Sequence, residues 1–105
     1  MGPWLWLGLA GLAEIGFAVA VKASDGFTRP GAVALTLGAM VVSLFCMSRA
    51  MQALPMGTVY AVWTGIGAAG ALAWGILVGG EPAGALRLLC ILLILAGVAG
   101  IRWAS

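Results

Sequence analysis

One acid in this chain stands where acids are expensive. Glu14 lies in Gly-Leu-Ala-Glu-Ile-Gly-Phe, and no other charged side chain occurs before Lys22. If this run enters a bilayer at Pro3, Glu14 lies about 11 residues deep. At 1.5 Å per residue that is ~16 Å, near the middle of a ~30 Å hydrocarbon layer. A carboxylate there costs about 3 kcal/mol on insertion scales, so it must face a cavity, water or a partner helix. No other charge lies deep in an apolar run, so the chain supplies no permanent counter-ion. A carboxyl in low-dielectric surroundings carries its charge well only beside a cation. It therefore holds a proton or a cation, but not both well. That competition is the minimal chemistry of a proton-coupled cation exchanger. The plainer alternative is a protonated carboxyl that joins helices by a hydrogen bond. Intramembrane ionisable residues are functional by default, which favours exchange.

Candidate partners follow from helical spacing. One turn from Glu14 stand Ala10, Gly11, Phe17 and Ala18, mostly small, leaving room beside the carboxyl. A second run, Val59-Tyr60-Ala61-Val62-Trp63-Thr64-Gly65-Ile66-Gly67, puts Tyr60, Trp63, Thr64 and Gly67 on one helical face. Trp63 is too deep for an interfacial belt, so its indole N–H needs an acceptor, and a carboxylate is a natural one. Aromatic faces there can also hold a cation. The alternative places Tyr60 near the interface and makes Trp63 a packing residue. Gly65 and Gly67 weaken the helix locally and read as a hinge or as packing positions. Ser43 can bond Glu14 or, more simply, its own i−4 carbonyl. Met40, one turn earlier, reads first as core. The candidate lining around Glu14 is thus Ala10, Gly11, Phe17, Met40, Ser43, Tyr60, Trp63 and Thr64.

The elements that position these residues are membrane helices. The chain is 64% apolar and 8% charged over 105 residues, against about 45–50% and about 25% in soluble domains. So few charges cannot cover the surface of a small soluble fold, and disorder demands the opposite composition. An all-α integral membrane protein remains, with one domain over residues 1–105. Four long apolar stretches serve as spans, about 3–21, 30–48, 56–78 and 83–101, with Glu14 the one charge deep inside any of them. Pro3 and Pro30 suit first helical turns. Lys22 to Arg29, the Arg49 to Pro55 stretch and Gly79-Gly80-Glu81-Pro82 are the breaks. An even number of spans puts both termini on one side.

Other chemistries are excluded. There is no His, and Cys46 and Cys90 are isolated in apolar runs. No metal, haem or other cofactor is expected, and the cysteines read as small apolar fillers. With three acids and no nucleophile–base pair, no catalytic residues and no enzyme are expected. The net charge of +2 without a basic run gives no nucleic-acid partner. A cleaved signal peptide is not expected, since the first apolar run lacks a basic flank and contains Glu14.

Orientation is nearly unbiased. Lys22, Arg29 and Arg87 lie on one side, and Arg49 and Arg102 lie on the other with the N-terminal amine. A weak single orientation and insertion both ways with antiparallel pairing stay equally open. Gly67, Ala71, Gly75 and Gly79 form a small-residue stripe on the third span. Ala96 and Gly100, beside Gly97, form another on the fourth. One should serve packing within the chain and the other a second copy. Four helices alone enclose a core without a pathway, so a second copy is expected. Trp4, Trp6 and Trp103 read as interfacial anchors, with Trp4 alternatively reaching a cleft above Glu14.

These residues together resemble the small multidrug resistance family of bacterial four-helix exporters. The resemblance spans the chain. It rests on Ala-Glu14-Ile-Gly-Phe, on Asp-Gly-Phe-Thr-Arg, on Leu-Pro-Met-Gly-Thr-Val-Tyr60-Ala-Val-Trp63-Thr-Gly-Ile-Gly-Ala, and on Gly-Glu81-Pro. It is closest to the guanidinium-exporter branch, where Trp-Thr-Gly-Ile-Gly is typical. The resemblance implies an antiparallel, dual-topology homodimer in the bacterial inner membrane. Glu14 of each copy would bind protons and small cationic substrate in exchange. It further implies Trp63 and Ser43 as partners of the glutamate, Tyr60 as a gate or substrate contact, and Gly11 as lining. The dimer contact would run around Ala96, Gly97 and Gly100. The chain departs from the guanidinium branch at Phe17, where that branch carries Trp. Ala-Glu-Ile-Gly is nearer the multidrug branch, which takes bulkier quaternary cations.

Overall fold

The computed structural model describes residues 2–104. They form α1 (Pro3–Ala23), α2 (Pro30–Met51), α3 (Met56–Leu77) and α4 (Ala85–Ala104). At 20 to 22 residues each, these helices are ~30–33 Å long. All four are long and apolar enough to cross a membrane. Pro3 and Pro30 occupy first turns, where a missing N–H removes no helical bond. Lys22, Arg49 and Arg102 sit in last turns, where a cation meets the negative helix end. Helix α2 runs past Ser48 to Met51, and Arg49 in its last turn lies over the Trp6 ring, 5.4 Å from its centroid. Helix α4 likewise continues past Ile101, with Arg102 lying 5.1 Å over Trp4.

Helix α1 is the centre of the bundle, packed between α2 and α3, while α4 lies against α3. The sequence of neighbours is therefore α2–α1–α3–α4. A buried cluster of Leu7, Ala50, Val59 and Val62 ties α1, α2 and α3 together near the N-terminal end of α1. Small residues set the α1–α3 distance. Gly11 lies under Ile66, Gly67 under Glu14, and Gly70 under Ile15. Gly67 of the α3 stripe thus packs within the bundle itself, while Gly75 lies against Glu81 of the following loop. No residue of α4 is buried in the single chain, and Ala96, Gly97 and Gly100 are exposed.

The loops are built by hydrogen bonds. Ser24, fully buried, donates to Val21 O at 2.6 Å and accepts from Phe27 N at 3.1 Å. Those bonds hold Asp25, Gly26 and Phe27, all at positive φ, in a left-handed turn. In the α3–α4 loop, Gly80 takes φ +71 and Glu81 N donates back to Gly75 O at 3.0 Å. Arg87 then reaches Glu81 at 3.3 Å.

Candidate functional site

Glu14 projects from mid-α1 onto a cavity of about 150 Å³ between α1, α2 and α3. Its walls are Phe17 from α1, Met40, Ser43 and Leu44 from α2, and Trp63 from α3. The stem of Glu14 lies on Gly67, whose missing side chain makes the seat. A Cβ there would stand 2.6 Å from Glu14 Cγ. The carboxylate is only partly buried and, among the described residues, makes no hydrogen bond or ion pair.

The polar partners form a chain beside the acid rather than on it. Trp63 Nε1–H donates to Ser43 Oγ at 2.8 Å. Ser43 Oγ–H donates to the Ala10 carbonyl at 2.8 Å. The indole therefore finds its acceptor in a hydroxyl, not a carboxylate. Ser43 bonds neither Glu14 nor its own i−4 carbonyl. The reason is geometric. Small Ala10, fully buried, brings α1 close enough to α2 for its carbonyl to accept from Ser43. The result locks three helices in register and leaves both Glu14 oxygens open to a ligand. Ser43 Oγ has one lone pair still unused.

The other candidates divide. Gly11 is buried against Ile66 and contributes close packing. Tyr60 and Thr64 face a separate groove of about 490 Å³ between α3 and α4, together with Gly65 and Gly97. The Tyr60 ring still meets Trp63, with centroids 5.8 Å apart. Helix α3 is continuous through Gly65 and Gly67, and both are close-contact positions, against Val98 and Glu14. Trp4 carries Arg102 instead of reaching toward Glu14. Leu44 is a wall residue that spacing alone passes over. Its position one turn after Met40 was the available signal. The sequence put Gly67 on the Trp63 face, in the small-residue stripe and at the hinge, but its part as the seat of Glu14 follows only from the packing.

The site offers a carboxylate for a cation, aromatic faces from Phe17 and Trp63, and thioether and aliphatic walls. Groups of these kinds are able to hold a compact organic cation. A family profile described as Small Multidrug Resistance protein matches residues 2–94. A "Guanidinium exporter" of Citrobacter freundii is 50% identical over 102 residues, covering 97% of each chain. A "Guanidinium exporter" of Proteus vulgaris is 48% identical over 97% of this chain and 98% of its own. The protein of that name from Yersinia pestis gives the same 48% and the same coverage. With these relatives and four membrane-length helices, it is a multi-pass membrane protein, and the chain belongs to the small multidrug resistance family.

Proposed function

We propose that this chain is a proton-coupled antiporter that exports guanidinium-type cations from the bacterial cytoplasm across the inner membrane. The observation that carries the reading is Glu14, unpartnered at mid-membrane and opening on an aromatic-walled cavity. A planar guanidinium pairs with a carboxylate through two parallel N–H···O bonds. Phe17 and Trp63 offer their faces to the same cation. When the cation leaves, a proton takes the carboxylate, so the two loads alternate. The names of the relatives support guanidinium as the cargo.

The working unit is an antiparallel, dual-topology homodimer in which each copy contributes Glu14. The exposed Ala96, Gly97 and Gly100 on α4 form its contact, since small residues allow close approach. Bending of α3 at Gly65 and Gly67 shifts the wall on which Glu14 rests and moves access between the two faces. Tyr60 and Thr64 join the cation path from the α3–α4 side. The test is uptake of guanidinium into liposomes driven by a pH gradient. Wild-type protein should accumulate the cation, and Glu14→Gln should not. Persistent gradient-driven uptake by the variant overturns the mechanism.

A second reading rests on the wall chemistry. Phe17, Met40 and Leu44 are apolar or thioether groups suited to a bulkier quaternary ammonium ion. Growth separates the two. Tolerance to a hydrophobic quaternary cation without guanidinium transport favours the second.

A further inference from the structure

We propose a binding site for an anionic phospholipid at the corner where α1, α3 and α4 meet, with Arg102 and Trp4 at its mouth. A hollow of about 180 Å³ lies there, walled by Leu7, Val62, Ile66 and Val98. Its rim is Trp4 with the Arg102 guanidinium 5.1 Å above the ring. Apolar hollows of about this size stay dry and accept hydrocarbon. Val98 lies four residues before Arg102, ~6 Å along the helix. A ligand with a charged head at the rim therefore has its chain at the level of the apolar wall. Trp4, in the first turn of α1, is the amphipathic ring expected at headgroup depth.

The sign of the head follows from charge placement. Arg102 is exposed and forms no ion pair among the described residues. Arg49, over Trp6, is its counterpart at the same end of the bundle. None of the acidic side chains is near. Glu14 is at mid-helix, and Asp25 and Glu81 lie in the loops of the opposite face. Among the described residues the rim is thus positive with no acidic side chain beside it, above an apolar hollow open to the bilayer. A molecule with a phosphate at that depth and an acyl chain below it meets both demands. Guanidinium–phosphate contact supplies the specificity and the hollow supplies the fit.

The test is native mass spectrometry of the full-length protein from mixed micelles containing phosphatidylglycerol or phosphatidylcholine. Wild-type protein should retain phosphatidylglycerol over phosphatidylcholine. Arg102→Gln should lower that retention about tenfold, the worth of one charge-assisted hydrogen bond. Gly8→Leu keeps Arg102 but projects into the hollow, where nothing lies within 4 Å of the added Cβ. It should also reduce retention, which a purely electrostatic attraction does not predict. Equal retention of the two lipids by wild-type protein overturns the site, and so does indifference to both substitutions. Displacement by millimolar inorganic phosphate reassigns the rim to a free anion and defeats the lipid assignment. Exclusion of lipid because a second copy covers Trp4 and Arg102 defeats it as well.

Discussion

Gly67→Ala tests whether α3 positions the acid. The added methyl would stand 2.6 Å from Glu14 Cγ and 3.4 Å from Glu14 Cβ. Carbon atoms settle at about 3.5–4.0 Å, so something must yield by ~1 Å. The α1–α3 seam is held on either side by Gly11 under Ile66 and Gly70 under Ile15. The side chain of Glu14 is the softer element, and it rotates off its seat. Overpacking of this kind costs about 1–3 kcal/mol. If that strain falls on the cation-bound state, affinity drops about 5–150-fold. The assay is equilibrium binding of guanidinium to purified protein in detergent, beside a melting curve. Gly16→Ala is the control, because its methyl enters open space. It should bind like the wild type and melt no lower. Wild-type affinity in Gly67→Ala refutes the idea that Gly67 seats Glu14.

Other outcomes follow from the same geometry. Ser43→Ala strips Trp63 Nε1 of its acceptor and the Ala10 carbonyl of its donor. Stranding those groups should destabilise the bundle by about 1–3 kcal/mol in thermal or denaturant unfolding, while Ser43→Thr keeps the hydroxyl and recovers part of the loss. Glu81→Gln breaks a pair whose side chains are 32% and 42% exposed. Its cost should stay below about 1 kcal/mol and disappear in high salt. A larger, salt-independent loss points instead to the packing of the Glu81 carboxylate against Gly75.

Much of the architecture was legible because hydrocarbon is a demanding solvent. Few charges sit between long apolar runs, and each run closes its own backbone hydrogen bonds as a helix. Glu14 stood out for the same reason, as a lone charge at bilayer depth. Helix ends were less legible. Helices α2 and α4 run past their expected ends, and there Arg49 and Arg102 lie over Trp6 and Trp4, pairings between residues far apart in sequence. Periodicity also grouped Tyr60 and Thr64 with Trp63. In the fold, Trp63 turns to the Glu14 cavity while Tyr60 and Thr64 line the α3–α4 groove. The face is one, but two different neighbours divide it. The link from Trp63 through Ser43 to Ala10 was not legible at all. It depends on how closely α1 approaches α2, which only side-chain packing in three dimensions decides.

The account's central claim is that one carboxyl serves protons and organic cations by turns. Proton release on cation binding measures this directly, in weakly buffered detergent solution at a pH where the empty site is protonated. Guanidinium added to wild-type protein should acidify the solution in proportion to the sites filled, and Glu14→Gln should release nothing. Saturable binding by the wild type with no proton released, or undiminished release from the variant, contradicts the account.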